Sequence, residues 1–319
     1  MKRSAFISTA SAAVGAAAFA GRAAAAESDI VLPTATGTIY GTLALPAKTP
    51  APVVLIIAGS GPTDRNGNSP KMGVEPETYR LLAADLAQRG VASVRYDKRM
   101  IGASATATDK ESDLRFDTLI DDAAGWLKLL AGDARFSRTI VAGHSEGSLI
   151  GMIAVPRAPA AAFVSLAGAG RSAPTILREQ LKRVATPAQY AQADAIITQL
   201  QQGHTVADTP KDLDVLFRPS VQPYLISWFK YDPAVEIAKV RIPATIVQGT
   251  ADVQVTVVDA QALKQGDPSA TLVIVKGMNH ELKYAPDTST QTAILAGYQN
   301  GSLPVDPQAI DAVYRATVK

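Results

Sequence analysis

The feature that most constrains this chain is a recurring pattern in which apolar runs of strand length close on a turn signal and give way to stretches of helical period. Val53 to Ala58 holds no polar residue and closes at Gly59-Ser60-Gly61-Pro62. A strand with one wet face alternates, so an unbroken apolar run marks a strand buried on both faces, as in parallel sheets. Further strands are expected at Val91–Tyr96, Thr139–Gly143, Ala161–Leu166, Ala244–Gln248 and Thr271–Val275. Thr38–Leu45 alternates instead, with Ile39, Gly41, Leu43 and Leu45 on one side, and Pro46 to Pro52 reads as a turn. Helical stretches fall at about Glu77–Gln88, ending at Gly90, at about Phe116–Leu130, with Leu119, Ala123, Trp126, Leu127 and Leu130 on one face, and at Leu149–Val155. Strands alternating with helices imply right-handed crossovers and an α/β fold, a mostly parallel central sheet with helices on both faces. A chain of 319 residues can bury one large core, so one catalytic unit is expected over residues 27–319.

One interval breaks the rhythm. Between Gly170 and Pro243 no buried strand is legible; helical stretches at Thr175–Val184 and Ala188–Gln202 precede the aromatics Phe217, Tyr224, Trp228, Phe229 and Tyr231. An insertion of this length after a mid-sheet strand reads as a helical cap, about residues 171–240, over the carboxyl ends of the strands, where open α/β sheets bind ligands. The aromatics either line the path to the site or fasten the cap to the body.

The amino terminus reads as a segment to be removed. Met1-Lys2-Arg3, an apolar small-residue run from Ala5 to Ala20 and Ala24-Ala25-Ala26 have the layout of a secretory signal, with cleavage expected after Ala26 and a periplasmic or extracellular destination. The alternative is an uncleaved anchor, disfavoured by a run rich in Ala and short on Leu. Without Lys2, Arg3 and Arg22, the chain keeps 28 basic against 29 acidic residues, which argues against nucleic acid as a partner. No later stretch is long and apolar enough to span a bilayer, so no stable membrane insertion is expected. Cysteine is absent, which excludes disulfides, thiol catalysis and Cys-ligated zinc.

The chemistry concentrates at Gly143-His144-Ser145-Glu146-Gly147, between an expected strand and an expected helix. In that context G-x-S-x-G is a nucleophile elbow, a sharp turn that presents the serine hydroxyl. A hydroxyl needs a base, and the chain holds three histidines. His144 lies inside the elbow, pointing away from the line of attack, and His204 sits in a polar cap stretch. His280 follows the last strand in Gly277-Met278-Asn279-His280, at the rim where the serine stands, and is the expected base. Asp252, in Gln248-Gly249-Thr250-Ala251-Asp252, follows another strand and completes the chain order Ser, Asp, His; Asp259 is the runner-up, placed within the next helix. The oxyanion is expected to meet the backbone N–H of Glu146 and that of Ser60, with Gly61 as alternative for the second. The Gly59–Gly61 loop lacks the Lys-Ser/Thr of a phosphate-binding loop, and no G-x-G-x-x-G is present. The Glu146 carboxylate, beside the nucleophile, is expected to disfavour anionic acyl groups by repulsion.

The run from Gly59 to Asn68 (GSGPTDRNGN), Tyr96-Asp97-Lys98-Arg99 and the elbow together resemble a group of bacterial α/β hydrolases, the EstD-like carboxylesterases, over essentially the whole chain after the leader. The resemblance implies an α/β-hydrolase fold and hydrolysis of short-chain carboxylic esters. Two departures stand out: Met100 where the group has glycine, and Ala58 where it has histidine. Asp64, Arg65, Asp97 and Arg99 are expected to form structural ion pairs or turn bonds near the site. The leading expectation is a Ser-His-Asp esterase acting through an acyl-enzyme on a small-molecule ester, with no metal or organic cofactor. An aminopeptidase or amidase of the same fold is the second reading, and a non-catalytic binding protein the third.

Overall fold

The computed structural model describes residues 26–318. The leader expected over residues 1–26 lies outside them but for Ala26, the first residue of the first strand. Eight strands form one sheet: β1 (Ala26–Thr34), β2 (Gly37–Leu45), β3 (Ala51–Ile57), β4 (Ala92–Tyr96), β5 (Phe136–His144), β6 (Ala162–Leu166), β7 (Ala244–Gly249) and β8 (Thr271–Val275), in the order β1-β2-β4-β3-β5-β6-β7-β8. From β4 through β3 and β5 to β8 every pairing is parallel, while β2 is antiparallel to both its neighbours.

The unbroken apolar run behaves as its composition dictates. Val53, Leu55 and Ile57 of β3 enter the core on one face of the sheet, and Val54 and Ile56 enter the core on the other. The first core is closed by helices α2 (Phe116–Ala131) and α3 (Glu146–Ala154), with Trp126, Leu127 and Leu130 buried on the expected face of α2. The second is closed by α1 (Thr78–Gln88) and by the terminal helix Pro307–Val318, whose Ile310 and Val313 share that core with Val54 and Ile140.

Two features go beyond the sequence expectations. β1 pairs with β2 at the sheet's edge, where only Leu32 of its nine residues is buried, so its sequence carries almost no apolar pattern. Two helices, Gln291–Gln299 and Pro307–Val318, follow His280.

Between β6 and β7 the chain forms five helices: α4 (Ala173–Val184), α5 (Pro187–Gln201), α6 (Asp214–Phe217), α7 (Gln222–Trp228) and α8 (Pro233–Ile237). The first four share a small core of their own, including Leu181, Ile197, Leu200 and Phe217, whereas Ile237 of α8 joins the core under the sheet. Thr186 starts α5 with a capping box closed by Gln189. Three of the aromatics, Tyr224, Trp228 and Tyr231, fasten the insertion to the body, while Phe217 and Phe229 pack in the insertion's own core. Phe116, at the start of α2, stacks on Trp228 with ring centres 5.8 Å apart and also touches Tyr224 and Tyr231. At the other end, Arg171 pairs with Asp259 at 2.9 Å, and Gln180 and Arg183 donate to the carbonyls of Gln254 and Val253.

Candidate active site

β5 runs straight into α3 with Ser145 at the corner, φ 53° and ψ −119°, a conformation L-residues rarely adopt. The two glycines permit it. A Cβ on Gly143 would lie 2.2 Å from the Gly147 carbonyl oxygen, and one on Gly147 would lie 2.3 Å from that of Ile57. α3 thus begins at Glu146, three residues earlier than expected, and its amino-terminal dipole adjoins the Ser145 hydroxyl.

Asp252 and His280 come together at the carboxyl ends of β7 and β8. His280 Nδ1–H donates to Asp252 Oδ2 at 2.8 Å, and both residues are buried. Gln248 Nε2 donates to the same carboxylate oxygen at 3.0 Å, and the backbone N–H groups of Gln254 and Val255 donate to Oδ1. Burial disfavours the imidazolium of His280, but the Asp252 charge, the bond to it and the Glu281 charge outweigh that, so its pKa lies above the ordinary value. Among the described residues neither Ser145 Oγ nor His280 Nε2 makes a hydrogen bond. The third contact of the expected set is therefore not formed.

Tyr79 and His144 tie these parts to one another. His144 Nε2 lies 2.8 Å from the carbonyl oxygen of His280. A carbonyl only accepts, so Nε2 carries the proton and Nδ1 accepts from the Tyr79 hydroxyl at 2.8 Å. Tyr79 Oη in turn accepts the N–H of Gly59 at 3.0 Å. Burial, with the nearby His280, pulls the His144 pKa down to about 3, so the ring stays neutral and structural, as expected. His204 is exposed in the cap.

The N–H groups of Ser60 and Gly61 donate to no group among the described residues, and that of Gly59 is taken by Tyr79. Both oxyanion alternatives thus stand. Asp259 belongs to the capping box of the helix Val257–Gly266 and to Arg171, not to the histidine. Asp64 closes a turn onto the N–H groups of Asn66 and Asn68; Arg65 pairs with Asp97, and Arg99 with Asp122, through two bonds each. Met100 keeps the left-handed turn with φ 66°, where a glycine would be unstrained.

One expectation is corrected. The Glu146 carboxylate does not stand toward an acyl group: its side chain is 1% exposed and is paired with Lys98 Nζ at 2.9 Å, which neutralises it. Gln248, Tyr79 and Lys98 had no sequence argument behind them. Gln248 alone left a signal, as an amide at the end of an otherwise apolar buried strand.

A sheet of this order, with a strained serine at the turn from β5 into α3, defines an α/β hydrolase. Residues 72–287 match the serine aminopeptidase S33 family (Hydrolase_4), and the chain belongs to that family. It is 25% identical over 284 residues to the esterase EstD of Thermotoga maritima; the match covers 85% of this chain but only 63% of EstD's length. Among solved structures, Est1E from Butyrivibrio proteoclasticus superposes with a TM-score of 0.58 at 17% identity, over 91% of this chain and 99% of that one. A proline iminopeptidase from Mycobacterium smegmatis gives 0.54 at 18% identity, over 80% and 92%. Likeness at these identities speaks to the fold alone.

Proposed function

We propose that this hydrolase cleaves carboxylic esters of short to medium acyl chain by acyl transfer to Ser145. The observation that carries the reading is the buried Asp252–His280 bond, which leaves Nε2 as the unpaired ring nitrogen, together with an elbow serine whose hydroxyl has no hydrogen-bond partner among the described residues. Nε2 takes the Ser145 proton as Oγ bonds to the carbonyl carbon. The oxyanion then accepts from the N–H groups of Glu146 and Ser60, or Gly61 in place of Ser60. The tetrahedral intermediate collapses as His280 returns the proton to the departing alcohol, and the same base activates the water that releases the acid. Asp252 fixes the tautomer that makes Nε2 the base. Proton transfer requires Oγ and Nε2 to close to about 2.6–3.2 Å, a contact that substrate often completes.

The esterase reading is further supported by the match to EstD. Residues 171–240 act in it as a cap whose shape sets the acyl preference, and the leader-like composition of residues 1–26 supports an exported enzyme. Turnover of nitrophenyl esters of increasing chain length, on wild type and Ser145→Ala, tests nucleophile and cap together. A length optimum lost entirely in Ser145→Ala is expected, and hydrolysis that survives the substitution overturns the assignment. The family match favours a second reading, an aminopeptidase. Faster turnover of aminoacyl anilides than of esters would establish it in place of the first.

A further inference from the structure

Lys98 is a buried cation with an uncommon pair of partners. Its Nζ donates to the Gly59 carbonyl at 2.5 Å and to Glu146 Oε2 at 2.9 Å. Gly59 and Glu146 are 87 positions apart in the chain. With Ser60 as the second donor in the acyl-transfer reading, what they share is the oxyanion site. The peptide whose oxygen Lys98 holds is the one whose nitrogen belongs to Ser60, and in a trans peptide the C=O and N–H point in opposite directions. A grip on the oxygen therefore aims the Ser60 N–H away from Lys98. It also withdraws electron density from the amide, which makes the N–H a stronger donor. The second partner is the residue whose own N–H is the other oxyanion donor.

We propose that Lys98 is a positioning residue that orients both donors of the oxyanion hole and polarises the one supplied by Ser60. The inference rests on the acyl-transfer reading above. Three further observations support it. Gly59 is held at its other end, through its N–H, by the Tyr79 hydroxyl, so the donor peptide and the peptide before it are both anchored. Asp97 and Arg99 lock the backbone on either side of Lys98 through Arg65 and Asp122, which gives the whole Asp97-Lys98-Arg99 run a function as the frame of this cation. Finally, the pair is poorly arranged for stability alone. Glu146 Oε1 is buried without a hydrogen-bond partner, and buried ion pairs seldom repay their desolvation unless every oxygen is satisfied. A pair kept for stability would be expected to fill that lone oxygen.

Removing Lys98 alone strands a buried carboxylate, so the test uses Lys98→Met/Glu146→Gln, which deletes both charges and keeps the volumes. The readouts are kcat and KM on a nitrophenyl ester, the affinity of a trifluoromethyl ketone that forms a tetrahedral adduct on serine, and thermal stability. The expected result is a folded variant with KM within about 2-fold, kcat lower by about 10- to 100-fold, and ketone affinity lower by the same factor. Wild-type kcat and ketone affinity in the folded variant overturn the proposal, as does a loss of kcat with ketone affinity unchanged. Should the methionine variant not fold, Lys98→Leu/Glu146→Gln, which likewise removes the donor and both charges, is judged by the same criteria. Ser145→Ala separates the layers: hydrolysis surviving it sinks the acyl-transfer reading itself, whereas its abolition together with an unaffected Lys98 variant sinks only this inference.

Discussion

Asp252 is surrounded by donors, and its effect on His280 is where the chemistry can be read by titration. With the imidazole held above its ordinary value of 6.5, kcat/KM should rise with pH along a limb whose midpoint lies above that figure, since only neutral His280 can accept the serine proton. Asp252→Asn removes the negative charge, so the midpoint should move down while kcat falls by roughly 10⁴-fold; an unmoved limb would show that another group titrates. The same bond affects stability with a definite sign. A raised histidine pKa contributes stability that is complete below the unfolded value and fades as pH climbs through the folded one. Tyr79 makes a second prediction. Its hydroxyl accepts from Gly59 and donates to His144, both buried, so Tyr79→Phe strands a donor and an acceptor and should cost about 1–3 kcal/mol by urea denaturation. A loss within experimental error would mean that water replaces the hydroxyl. The Asp252–His280 pairing was legible in the sequence, but the Tyr79 links were not, because Tyr79 and His144 are 65 positions apart and a tyrosine on an amphipathic helix reads as ordinary core.

At the scale of elements, the parallel strands were legible to within a few residues because burial on both faces leaves an apolar run, and the half-exposed edge strand β8 keeps such a run as well. β1 was not, because an edge strand with almost every side chain exposed carries no such signature. The elbow could be read from G-x-S-x-G because its glycines answer to steric demands that no other residue meets. Of the candidate site, the motif and chain order gave Ser145, Asp252 and His280, whereas the partners of Glu146 depend on a fold that brings β4 against β3. The turn after β4 offers a local test. Met100 occupies a left-handed conformation, which costs an L-residue roughly 1–2 kcal/mol, so Met100→Gly should exceed Met100→Ala in stability by about 1 kcal/mol. Equal stabilities would show that the turn relaxes around the side chain.

For the molecule as a whole, the helical insertion is joined to the body by aromatic packing around Phe116 and by side-chain bonds such as Arg218 to Glu111, Tyr231 to Asp117 and Arg171 to Asp259. Phe116 and Trp228 lie nearly parallel, at 10°, and Phe116 is wholly buried. Trp228→Ala should therefore loosen residues 171–240 at a cost of about 2–3 kcal/mol, seen as faster amide exchange in α4 to α7 with the sheet unchanged. Uniform destabilisation of sheet and insertion together would mean that they unfold as one unit. The acyl-transfer chemistry is best tested by following a fluorophosphonate through intact-protein mass spectrometry and peptide mapping. A single adduct on Ser145 is expected, absent in Ser145→Ala and formed far more slowly in His280→Ala. An adduct elsewhere, or one on Ser145 that forms as fast without the imidazole, would contradict the assignment of nucleophile and base.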